Sequence, residues 1–154
     1  MAKEVLARDV MVERVVCVTP EMTLREASEL LGQHQITGAP VVSEDEGLVG
    51  VISQTDIMRE ALGDEYGGWP TDTYYVGFSY VDEPGMQRVA ERVDDTLVTD
   101  AMNTSVVSVL PSDPSSHVAR VMRNDHIHRV LVAEDRHLQG IITSLDLLRL
   151  LEAQ

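Results

Sequence analysis

The chain has 154 residues, 44% of them apolar and 25% charged, which suits one globular domain or two small associated units and argues against intrinsic disorder. Twelve Lys and Arg stand against 26 Asp and Glu, and the formal charge of −14 makes nucleic acid an unexpected partner. The longest apolar runs, such as Val15 to Val18, fall far short of the ~18 residues that a membrane helix requires, so no membrane partner is expected.

The first residues, Met1 to Leu6, soon meet Arg8, Asp9, Glu13 and Arg14 and contain no signal-like apolar core. Cys17 is the only cysteine, which excludes an internal disulfide and a thiolate-rich metal site. Both features lead to the expectation of a cytoplasmic protein, with Cys17 a small buried hydrophobe in Val15-Val16-Cys17-Val18. That β-branched run predicts a strand, and Thr19-Pro20-Glu21 after it reads as a helix start with a cap, a first-turn proline and a dipole-favouring acid. Leu24, Ala27, Leu31 and His34 then recur at helical spacing. Ala39 to Val42 and Leu48 to Ile52, either side of an acidic turn with Gly47, predict a hairpin, and a closing helix is expected from about Ser53.

Residues 63–95 break this pattern with Gly67-Gly68, Pro70 and Pro84-Gly85, and carry eight acids against two bases. All six aromatic residues, Tyr66, Trp69, Tyr74, Tyr75, Phe78 and Tyr80, fall in this stretch. The segment reads as an inserted acidic linker whose rings dock on a repeat, on a partner subunit or over a ligand.

Past it the chain repeats itself. Asp100-Ala101-Met102 lies over Asp9-Val10-Met11, and Val106 to Pro111 over Val15 to Pro20, at an offset of 91. Gly140-Ile141-Ile142-Thr143-Ser144-Leu145-Asp146 lies over Gly50-Val51-Ile52-Ser53-Gln54-Thr55-Asp56 at an offset of 90. Val118, Val121 and Met122 supply the second helical stripe, and Asp113-Pro114 its expected start. The predicted organisation is a repeat at 1–62, the linker at 63–95 and a second repeat at 96–154. Each repeat is β-α-β-β-α, an α/β chain of the α+β kind, and a lone copy is marginal in size, so the two are expected to pack as a pseudo-symmetric pair.

A duplicated unit opened by Asp-x-Met and closed by Gly-h-h-Ser/Thr-x-x-Asp, where h is apolar, resembles the CBS domain, and two in tandem resemble a Bateman module. Ile36-Thr37-Gly38-Ala39-Pro40-Val41-Val42 and Ile127-His128-Arg129-Val130-Leu131-Val132 fit the start of that family's central strand. The resemblance implies a regulatory protein rather than an enzyme: a homodimer that takes an adenine nucleotide (AMP, ADP or ATP) or S-adenosylmethionine between its repeats and signals to an effector protein. It implies that Asp146 holds the ribose, that Thr143 and Thr19 touch phosphate or ribose oxygens, and that His128 and Arg129 meet the phosphate charge. Ile36, Thr37, Gly38 and Ile141 would line the adenine slot. The pseudo-symmetric set, Ser53 and Asp56 with Val51, Ile127 and His128, departs from the pattern, because Leu110 replaces a threonine and Thr37-Gly38 replace the His-Arg pair.

From the residues alone, Ser53-x-x-Asp56 and Thr143-x-x-Asp146 also read as capping boxes, and both roles are compatible. His126 and His128 on alternate positions make no metal set, and no nucleophile with a base and an orienting group is visible. The rival expectation is a ligand-free dimeric scaffold. Leu24, Leu31, Leu147, Leu148 and Leu151 are the helix residues expected to face a second copy.

Overall fold

The structure, a computed structural model, describes residues 3–63 and 83–153; the six aromatic residues, and the docking expected of them, lie outside these. In chain order the elements are α1 (Ala7–Val10), α2 (Leu24–Gln33), β1 (Gly38–Ser43), β2 (Gly47–Ser53), α3 (Gln54–Leu62) and α4 (Glu83–Asp95). They are followed by α5 (Val98–Ala101), β3 (Ser108–Val109), α6 (Ser115–Asp125), β4 (Arg129–Glu134), β5 (His137–Thr143) and α7 (Ser144–Glu152). Helix and strand mix within each repeat as expected.

Four local expectations are corrected. Helix α2 starts at Thr23, whose hydroxyl accepts from the Glu26 amide at 3.2 Å, because the buried stripe Leu24, Ala27 and Leu31 must begin in its first turn. The expected start at Thr19-Pro20-Glu21 is instead a turn, in which the Thr19 carbonyl accepts from the Met22 amide at 3.3 Å. Likewise Asp113 does not cap α6; it accepts from the Leu110 amide at 2.8 Å, and Pro114 flanks the helix without a side-chain cap.

The β-branched runs form less strand than expected. In the first repeat only Val18 pairs, in a parallel bridge to Val41, and in the second only Ser108–Val109 pairs, parallel to β4. Side-chain preference favours extended backbone but does not supply a neighbouring strand. The last thirteen residues of the expected linker form α4, which packs on α3 and α2. Pro84 sits in its first turn, where a missing amide hydrogen costs nothing. The Arg25 guanidinium on α2 pairs with Asp94 on α4 and, chiefly through that hydrogen bond, holds the Asp94 carboxyl below its usual range.

The chain divides into two compact units that cut across the sequence. One gathers Met1–Cys17, Val42–Val49 and Ser105–Gln154, the other Val18–Val41 and Gly50–Thr104. In the second-repeat unit the sheet order is β3-β4-β5, over a core of Ala7, Val109, Val118, Met122, Val130, Val132 and Ile142. In the first-repeat unit Val18, Leu24, Leu31, Val41, Ile52 and Val98 are buried, each worth about 1.5–3 kcal/mol for the larger side chains. Leu24 and Leu31 therefore belong to this core, not to an exposed face.

The repeat motif Asp-x-Met has a packing reason. Val12 and Ile141 exchange amide hydrogen bonds of 2.9 and 3.0 Å, which sets Met11 over Gly140; a Cβ there would lie 2.7 Å from the Met11 sulfur. In the other unit Val51 and Asn103 exchange bonds of 2.9 and 2.8 Å, and Met102 lies over Gly50 in the same way. Each opening segment is thus stitched beside the closing strand of the other repeat. No helix among the described residues is long and apolar enough to cross a membrane.

Candidate functional site

Thr143 ends β5 and caps α7. Its amide and hydroxyl donate to Asp146 Oδ2 at 2.8 and 2.9 Å, and its hydroxyl oxygen accepts from the Asp146 amide at 3.3 Å. Asp146 is the one buried polar residue among those described, at 8% exposure. Its second oxygen, Oδ1, meets only the exposed Arg149 guanidinium in these contacts, at 3.7 Å. The carboxylate is anchored through one oxygen and offers the other, the arrangement needed to accept from a ribose hydroxyl.

The second-repeat unit brings the expected cations to the same place. Arg129 is paired with Thr143 across the β4–β5 ladder, and the His128 carbonyl accepts from the Ser144 amide at 2.8 Å. His126, at φ 54°, ends α6 in the left-handed region and turns the chain into Ile127 and His128. Ile141 lies on β5, opposite Leu131. The Ser144 and Asp146 amides at the start of α7 are already bonded, to the His128 carbonyl and the Thr143 hydroxyl. The Thr143 proton is likewise given to Asp146, whereas His128 and Arg129 are both exposed.

The first-repeat unit carries the same construction. The Ser53 amide and hydroxyl donate to Asp56 Oδ2 at 2.9 Å each, the Asp56 amide returns to the Ser53 hydroxyl at 3.1 Å, and Arg59 stands 3.4 Å from Asp56 Oδ1. The Thr37 carbonyl accepts from the Gln54 amide at 2.9 Å, and a Cβ on Gly38 would lie 3.1 Å from the Ile52 carbonyl. Ile36, Thr37, Gly38, Ser53 and Asp56 are thus gathered where β1 begins and β2 ends. Thr19, expected beside Thr143 and Asp146, follows Val18, which pairs in parallel with Val41 of β1.

Arg59 and Arg149 were not singled out from sequence. The signal was there, since each motif continues as Asp-x-x-Arg at the same offset of 90. The charge is also uneven. Among the described residues the second-repeat unit holds eight Lys and Arg against twelve Asp and Glu, and the first-repeat unit four against ten.

The sequence profile of the CBS domain matches residues 7–63 and 98–153, and the chain belongs to that family. It is similar to the protein MJ1232 of Methanocaldococcus jannaschii, 27% identical over 95% of this chain, which spans 39% of that protein's length. The CBS domain of a membrane protein from Sphaerobacter thermophilus is 30% identical with a TM-score of 0.73, over 96% of this chain and 88% of that one. CBSX2 of Arabidopsis thaliana, solved in complex with AMP, is 25% identical with a TM-score of 0.70, over 96% and 97% of the two chains.

Proposed function

We propose that this chain is a regulatory, non-catalytic module that binds an adenine nucleotide or adenosyl ligand at the Asp146 site and passes the change to an effector protein. The observation that carries the reading is the joining of Thr143, Asp146, His128 and Arg129 on one sheet end and helix start, with Oδ1 of a buried carboxylate left for a hydroxyl donor. The AMP complex of the similar CBSX2 supports the ligand class. The Ser53–Asp56 set, without a cation pair at its strand start, is the weaker of the two.

A thermal unfolding screen with AMP, ADP, ATP, S-adenosylmethionine and NADH tests the reading, because a ligand that prefers the native state raises the melting temperature. No shift with any of them at millimolar concentration leaves the ligand-free scaffold as the better account. Arg129→Ala is expected to weaken ATP more than adenosine; equal weakening removes Arg129 from the phosphate role.

We also propose a homodimer. Leu145, Leu148 and Leu151 line one side of α7 at 68%, 53% and 65% exposure, and an isologous contact would cover them. Light scattering is expected to give twice the 17.0 kDa of one chain, and a mass of one chain rejects the dimer.

A further inference from the structure

The helices α3 and α7 begin alike, each behind a Ser/Thr-x-x-Asp capping box with an arginine three residues on. Their bodies are treated differently. Helix α4 lies against α3, burying its own Val89 while Ile57 and Ala61 of α3 are buried. The Arg92 Nη1 of α4 donates to the Leu62 carbonyl at 2.9 Å and to the Ala61 carbonyl at 3.3 Å, so a cation closes the carbonyl end of α3. Gly63, at φ 64°, follows with its Cα under that guanidinium: a Cβ there would lie 2.6 Å from Nη1. The Arg25–Asp94 pair ties the same end of α4 to α2.

Helix α7 packs through Leu147 onto the core of its unit, and its outer side carries the exposed Leu145, Leu148 and Leu151. Among the described residues no helix lies along α7 as α4 lies along α3.

We infer that α4 is an intrachain clamp that makes the two half-sites mechanically unequal: α3 is held at its carbonyl end and along the face that buries Ile57 and Ala61, and α7 is the helix whose position answers to a ligand. The sensing part of this inference rests on the function proposed above; the clamp itself does not. Held at its carbonyl end, α3 cannot shift without breaking the two Arg92 bonds and uncovering Ala61 and Val89. A shift of α7 breaks no such end bond; it rearranges the helix's packing on its own core and moves the leucine face, so the proposed dimer contact moves with it.

Amide hydrogen exchange of the full chain tests both parts. Without ligand, the last turn of α3 is expected to exchange about 10-fold or more slowly than the last turn of α7. Arg92→Gln should erase most of that difference by speeding α3 and leave α7 unchanged. Arg92→Lys, which keeps the charge with fewer directed donors, should give an intermediate rate and serves if the glutamine variant does not fold. Equal exchange in the two helices, or no response of α3 to either variant, overturns the clamp. With saturating AMP, α7 should slow and α3 stay as it was. Equal slowing of both overturns the inequality, whereas no AMP effect with the ligand-free difference intact counts against the proposed ligand and leaves the clamp standing.

Discussion

Asp146→Ala is expected to weaken AMP binding by roughly 10- to 150-fold, the cost of losing one charge-assisted hydrogen bond of about 1.5–3 kcal/mol, while Asp56→Ala changes it little. Both carboxylates complete the same capping box, each accepting from the amide and the hydroxyl of its cap residue. Both substitutions should therefore cost a similar ~1 kcal/mol of stability. The pair thus separates the structural role, which is shared, from the proposed binding role, which rests on the His128-Arg129 pair beside Asp146. Calorimetric titration of AMP onto the two variants, with denaturation curves beside it, reads both quantities. Equal losses of affinity would remove the asymmetry.

Gly140→Val is expected to destabilise the fold by about 3 kcal/mol or more, the upper range for forcing atoms into a filled site. A Cβ at Gly140 would lie 2.7 Å from the Met11 sulfur and 2.9 Å from the Val12 carbonyl oxygen. The thioether is flexible and can swing away. The carbonyl cannot, since it accepts from the Ile141 amide at 3.0 Å and its own residue's amide is bonded back. Met11→Ala should consequently rescue Gly140→Ala in part and Gly140→Val hardly at all. Gly32→Ala is the control: nothing lies within 4 Å of its added Cβ, and within α2 it should stabilise by about 0.5–1 kcal/mol. Urea denaturation midpoints decide both; a Gly140→Val midpoint equal to that of the native chain would contradict the packing account of the Asp-x-Met motif.

Much of the architecture was legible because it was written twice. The hairpins, the closing helices and both Ser/Thr-x-x-Asp boxes follow from local pattern, and the duplication aligned them. What local pattern could not give was partnership. Val15 to Val18 has the residues of a strand, yet only Val18 finds a neighbour, because pairing depends on distant backbone. Pro84-Gly85 reads as a turn, yet it opens α4, whose stability comes from packing on α3 and α2 rather than from its own propensity. Leu24 and Leu31 look like a free stripe until the core that covers them is known. At the site, the motif residues were found and their neighbours on the adjoining strand were found with them. The consumption of the Thr143 proton by Asp146, and of the Ser144 amide by the His128 carbonyl, was not readable, since hydrogen-bond bookkeeping requires coordinates.

The central claim, a ligand held at the start of α7, is tested most directly by following backbone amide resonances of the 15N-labelled full chain as AMP is added. The account predicts saturable shifts largest at His128, Arg129, Ile141 and Thr143 to Asp146, reduced at all of them by Asp146→Ala. Unmoved resonances at these positions with AMP in millimolar excess, or shifts confined to other parts of the chain, would contradict it.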